Sequence, residues 1–106
     1  MKKKGIKVLV VDDNEDVLFS VKESLETAHK EIKVVTCKAG EECLGKFDEK
    51  LDELGDVDAI ILDVMMPGMN GWEVGMRLKS DIRTANIPVI YVTGLDDPNC
   101  KRMGLT

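Results

Sequence analysis

The apolar positions along the chain switch between two spacings. Ile6 to Val11 is a short apolar run broken only by Lys7. Its valine and isoleucine content predicts a strand buried on both faces. Val17, Leu18, Val21, Leu25 and Ala28 then recur at helical spacing. Asp13 or Asn14 can cap that helix, and Glu15 and Asp16 suit its first turn, near the positive end of the helix dipole. Ile32 to Cys37 reads as a second strand. Ala39, Cys43, Leu44, Phe47, Leu51 and Leu54 mark a second amphipathic helix, stopped by Gly55. Val57 to Asp63 is a third and very apolar strand. Trp72 to Lys79 is a third helix, started by the Asn70-Gly71 turn, although Gly75 inside it costs about 1 kcal/mol relative to alanine. Ile87 to Thr93 is a fourth strand, with Pro88 near its entry, where a missing N–H is tolerated. Asp96 to Gly104 begins a fourth helix.

The order β-α-β-α-β-α-β-α predicts an α/β protein, a doubly wound parallel sheet with helices on both faces. No repeat, low-complexity stretch or linker interrupts it. A chain of 106 residues suits one core, so residues 1–106 are expected to form a single domain.

Composition narrows the function classes. The formal net charge of -5 argues against gripping nucleic acid, which needs a basic stripe. It leaves room for a protein partner with a basic patch, and its simplest effect is solubility. "MKKKGIKVLVVDD" starts like a signal peptide, but its apolar run is interrupted by Lys7 and stops at two aspartates. No stretch approaches the length of a transmembrane helix. Cys37, Cys43 and Cys100 are odd in number and lack CxxC spacing. That argues against a disulfide framework or zinc site and fits a reducing cytoplasm. His29, the only histidine, falls near the end of a predicted helix, where a cation suits the dipole.

In sheets of this kind ligands sit outside the carboxyl ends of the strands, where strand order reverses. Strand one ends at Asp12-Asp13, strand three at Asp63 and strand four at Thr93. If those strands are neighbours, the three carboxylates converge. Like charges raise each other's pKa unless something compensates. A divalent cation is the natural compensator, and oxygen-only donors without His or Cys suit Mg²⁺, which is often completed by a phosphate. A carboxylate in such a site can act as a nucleophile toward phosphorus, forming an acyl phosphate. The plainer reading, that each aspartate only caps a helix or turn, accounts for one strand end better than for three together.

"VLVVDDNE" (Val8 to Glu15), "DAIILDVMMPGMNG" (Asp58 to Gly71) and "IPVIYVTG" (Ile87 to Gly94) resemble, in order and spacing, the receiver domain of two-component response regulators. The resemblance covers nearly the whole chain. It implies a flavodoxin-like (CheY-like) three-layer α/β/α fold with strand order 2-1-3-4-5, a topology taken from the family. It implies that Asp63 is the phosphoacceptor, receiving a phosphoryl group from a phosphohistidine on a sensor histidine kinase or phosphotransfer protein. Asp13 would bind Mg²⁺ directly, Asp12 mainly through water, and Met65 through its backbone carbonyl. Thr93 would turn its hydroxyl toward the phosphoryl oxygens, Gly94 would leave space above the site, and Asn14 and Met66 would line its rim. The output would pass to a downstream effector protein, by a shift of Thr93 that repacks the loop after strand four.

Two features depart from that pattern. The family's fifth strand, with its lysine and its switch aromatic, follows the fourth helix, and this chain stops at Thr106 before either. The chain is therefore expected to be a C-terminally incomplete receiver. Strand four, "VIYV", is then expected to present an apolar edge through which a homodimer could form. Tyr91 is an aromatic away from the switch position, expected to serve packing. The second helix also reads longer than the family's, with an acidic, solvated outer face.

Other functions fit less well. A phosphatase of the haloacid-dehalogenase type places a second aspartate two residues after its nucleophile as general acid; here that position is Met65. A nucleotide-binding fold wants a glycine-rich turn after strand one, where this chain has Asp12-Asp13-Asn14. A receiver-like interaction module that is never phosphorylated is the remaining alternative; the complete acidic triad and Thr93 count against it, the missing lysine for it.

Overall fold

The computed structural model describes residues 5–49, 56–66, 68 and 70–92. They form β1 (Ile6–Val11), α1 (Glu15–Ala28), β2 (Ile32–Cys37), α2 (Gly40–Glu49), β3 (Ala59–Asp63), α3 (Gly71–Ser80) and β4 (Val89–Val92). The expected fourth helix, and Leu51, Leu54 and Gly55 of the expected second, lie outside the described residues.

All three strand pairings are parallel, in the order β2-β1-β3-β4. Strands β1 and β2 run over the residues that their apolar content predicts. The pleat of β1 explains the three layers. Val8 and Val10 join Leu18 and Val34 in one core, against which Val21 and Leu25 of α1 pack. Leu9 and Val11 point the other way, into a larger core with Cys43 and Phe47 of α2 and Val74 and Leu78 of α3. A strand buried on both faces cannot alternate with polar residues, which is why Val8–Val11 is continuously apolar. Each fully buried Val, Leu or Phe contributes roughly 1.5–3 kcal/mol relative to exposure. Cys37 and Cys43 are free thiols within the larger core.

The ends of the elements have local causes. Asn14, not Asp13, caps α1, its side chain accepting from the N–H groups of Asp16 (2.9 Å) and Val17 (3.2 Å). His29 closes the helix, its N–H donating to the Leu25 carbonyl. The third strand is shorter than expected at its start, because Val57 and Asp58 enter through a bridge to Lys7: the Asp58 N–H donates to the Lys7 carbonyl, and the Lys7 N–H to the Asp58 carboxylate. The fourth begins at Val89 instead of Ile87. Ile87 still belongs to the preceding turn, its N–H donating to the Thr84 carbonyl (3.0 Å). Pro88 lends its carbonyl to the Ile60 N–H, so the proline stands where only an acceptor is needed.

Candidate functional site

The strand order decides what meets at the carboxyl edge. Strand β1 lies directly beside β3, so Asp12 and Asp13, following Val11, come up next to Asp63, the last residue of β3. The ladder runs on past both strands. Asp12 N–H donates to the Cys37 carbonyl (3.1 Å), and Val64 N–H donates to the Val92 carbonyl (2.9 Å). Asp12 is thus anchored by its own backbone N–H, and Asp63 by that of the following residue, before their side chains enter the site.

One carboxylate oxygen from each of Asp12, Asp13 and Asp63 can be chosen so that all lie within 4.8 Å of one another. Asp12 and Asp63 are only 2% and 3% exposed, while Asp13 is open to solvent. Short backbone hydrogen bonds orient the two buried groups. Asp12 Oδ1 accepts from the Asn14 N–H (2.8 Å), so the residue that caps α1 is itself held by the acidic pocket. Asp63 Oδ1 accepts from the Met65 N–H (2.9 Å). Burial, above all, pushes the Asp12 carboxyl up to about 6; the charges of Asp63 and Asp13 and a hydrogen bond with Asp63 push the same way, against the Asn14 N–H. This is the electrostatic state that a cation relieves. The donor set, three carboxylates without nitrogen or sulfur, fits a hard divalent ion of the Mg²⁺ class.

The other expected site residues separate into three groups. Met65 is 71% exposed, and it meets the acidic site through its N–H, which donates to Asp63 Oδ1. Met66 does not line the rim: it is buried in the larger core with Leu62 and Val74. With Met65 turned outward, the apolar side chain of Met66 is the one that closes the core under the loop. Thr93 and Gly94 lie outside the described residues.

Three glycines after Asp63 have distinct physical reasons. Gly68 has φ 75°, a left-handed conformation that glycine adopts without penalty. Gly71 and Gly75 are needed for space. A Cβ on Gly71 would overlap the Asp63 carbonyl oxygen and lie 2.6 Å from Val64 Cα. A Cβ on Gly75 would collide with the Tyr91 ring, whose Cζ would be 2.7 Å away. Tyr91 also stacks on Trp72, with ring centroids 4.6 Å apart. The helix-weakening Gly75 is therefore a notch for Tyr91, and the packing role expected of Tyr91 holds. The close seat of Gly71 was not foreseen, because nothing in a sequence distinguishes a glycine that starts a helix from one pressed against a strand end.

Comparison with known proteins agrees with this geometry. Residues 8–105 match the family model described as the response regulator receiver domain. Response regulator PleD of Caulobacter vibrioides is 36% identical over 99 residues, covering 93% of this chain and 20% of its own length. The N-terminal domain of a response regulator receiver protein from Methanoculleus marisnigri JR1 superposes with a TM-score of 0.72 at 32% identity, over 92% of this chain and 74% of that one. A solved complex of histidine kinase ThkA with response regulator protein TrrA matches with a TM-score of 0.70 at 30% identity, over 88% of this chain and 72% of that chain. The fold and its acidic edge define the phosphorelay signalling class. The chain belongs to the response regulator receiver domain family. It spans about a fifth of PleD. Among the described residues, no helix is long and apolar enough to cross a membrane.

Proposed function

We propose that Asp63 accepts a phosphoryl group from a phosphohistidine of a sensor histidine kinase or phosphotransfer protein. The observation that carries this reading is the buried Asp63 carboxylate beside Asp12 and Asp13 at the edge where β1 meets β3. The complex of a histidine kinase with a response regulator among the structural neighbours supports the class of donor.

In the transfer, an Asp63 carboxylate oxygen forms a bond to phosphorus while the phosphorus–nitrogen bond breaks. The leaving imidazole nitrogen keeps the electron pair. Such transfer asks for positioning and charge neutralisation more than for covalent help. Positioning comes from the Met65 N–H, which holds one oxygen of Asp63. Asp13 would hold Mg²⁺ directly, Asp12 mainly through water, Asp63 by an oxygen and Met65 by its carbonyl. When bound, the ion supplies positive charge against the carboxylates and the incoming phosphoryl oxygens. Thr93 would donate its hydroxyl to those oxygens, and its movement would carry the phosphorylation state to an effector protein. The chain thereby acts as a switch that can promote its own phosphorylation and dephosphorylation, in the cytoplasm with its kinase. Strand β4 lies at the edge of the described sheet with Ile90 half exposed, and pairing of two copies there is the proposed homodimer.

The test mixes the protein with a small acyl-phosphate donor, with and without Mg²⁺, and reads intact mass. One phosphoryl adduct that needs Mg²⁺ and is lost in Asp63→Asn supports the reading. A folded, Mg²⁺-binding sample that gains no adduct contradicts it. Solution mass tests the dimer, which a monomer at all concentrations would exclude.

A further inference from the structure

We propose that Gly71 is a positioning residue for the acceptor aspartate, an inference that rests on Asp63 being the phosphorylated group. The Asp63–Val64 peptide is confined from two sides. From one, β4 holds it through the Val64 N–H and Val92 carbonyl (2.9 Å). From the other, the first turn of α3 rests on it at Gly71, whose own N–H reaches toward the Val64 carbonyl at 3.4 Å. The glycine is not required by backbone conformation: among the described glycines only Gly68 has a positive φ. It is required by distance. With a Cβ at residue 71, the helix and the peptide must separate by roughly 1 Å to restore ordinary contact.

The peptide that would move carries the acceptor side chain. It also leads directly to Met65, whose N–H fixes Asp63 Oδ1. Moving it displaces the attacking oxygen and loosens the hydrogen bond that aims it. The neighbouring Gly75 provides an internal control. A Cβ there strikes the Tyr91 side chain, not the acceptor peptide. Both substitutions crowd α3, but only one of them presses on Asp63. Asn70 holds the same turn from its other end, its side chain accepting from the Glu73 N–H (3.0 Å).

The experiment measures Mg²⁺-dependent phosphorylation by an acyl-phosphate donor in the wild type, Gly71→Ala, Gly75→Ala and Asn70→Ala. Rates are expressed per folded molecule and taken at saturating Mg²⁺ and donor. Misplacing a reacting group by about 1 Å can cost about a hundredfold in rate, and Gly71→Ala is expected to lose on that order. Gly75→Ala is expected to lose stability and keep a rate near wild type. Bound Mg²⁺ stabilises the folded state by mass action, so a deficit that persists at saturation separates positioning from mere destabilisation. A wild-type rate in Gly71→Ala, or losses in both glycine variants that follow stability alone, overturns the proposal. If Gly71→Ala does not fold, Asn70→Ala decides. A lowered rate on a folded protein then supports positioning by the first turn, and an unchanged rate refutes it. Failure of the wild type to take any phosphate removes the acceptor reading first, and this inference falls with it.

Discussion

Replacing Asp12 by asparagine should make the metal-free protein more stable. The amide has the shape of the carboxyl and keeps an oxygen for the Asn14 N–H, 2.8 Å away. What disappears is a buried charge among like charges. At the 4.8 Å limit on the clustered oxygens, two unit charges repel by roughly 3 kcal/mol at an effective dielectric near 20. The rise of the Asp12 carboxyl from 3.8 to about 6, caused first by burial and then by the neighbouring charges, corresponds to a total cost of about 3 kcal/mol. The sign follows from proton binding. Between those two values the folded state holds more protons on Asp12 than the unfolded state does, so stability falls as pH rises through that window.

The wild type without metal should therefore lose stability from pH 4 to pH 6 through this group, and Asp12→Asn should not. At pH 8 in chelator, the variant should be about 1–3 kcal/mol more stable. For a domain near this size that is a Tm rise on the order of 5–20 °C. Adding Mg²⁺ should raise the wild-type Tm strongly and the variant's only weakly. Denaturant titrations at pH 4, 6 and 8, with chelator and with Mg²⁺, measure all three terms. A variant that is equally or less stable at pH 8, or a gain of the same size at pH 4, would refute the electrostatic account of the site.

Three further predictions concern the frame around it. Gly75→Ala should cost about 1–3 kcal/mol by overpacking, despite the better helix propensity of alanine, and Tyr91→Leu in the same chain should recover part of that; a double mutant no more stable than Gly75→Ala would show the notch is not occupied by Tyr91. Thr84→Val should lower stability by about 1–3 kcal/mol, because the buried Thr84 hydroxyl donates to the Leu78 carbonyl and its loss leaves that acceptor without it; a neutral result would contradict this. Asp81 is held down to about 2 by the side chain and backbone N–H of Arg83. Its contribution is full above its ordinary value near 3.8 and is lost as pH falls toward 2, so Asp81→Asn should flatten the acid limb of the stability profile, and an unchanged limb would exclude the pairing as a source of stability.

Much of the architecture was legible because burial writes itself into period. The apolar run of β1, broken only by Lys7, read as a strand buried on both faces, and the spacing of Val17, Leu18, Val21 and Leu25 read as one side of a helix. The acidic cluster was legible too, since Asp12, Asp13 and Asp63 stand at strand ends that a parallel sheet brings to one edge. Three details were not. Met65 and Met66 are chemically alike in sequence, and only the path of the loop decides that the first faces solvent and the second fills the core. Asp58 reads as strand, yet its partners are Lys7 backbone groups beyond the β1–β3 ladder. Gly71 and Gly75 read as a helix start and a helix weakness. Their reasons lie in neighbours distant in sequence, the Asp63–Val64 peptide and the Tyr91 ring.

The central claim concerns one carboxylate, and the direct measurement is the location of the phosphoryl group. After reaction with an acyl-phosphate donor and Mg²⁺, hydride reduction converts an aspartyl phosphate to homoserine, which peptide sequencing by mass places at a single position. The account predicts homoserine at residue 63 and aspartate at residues 12 and 13. Homoserine at residue 12 or 13 with Asp63 unmodified would contradict it.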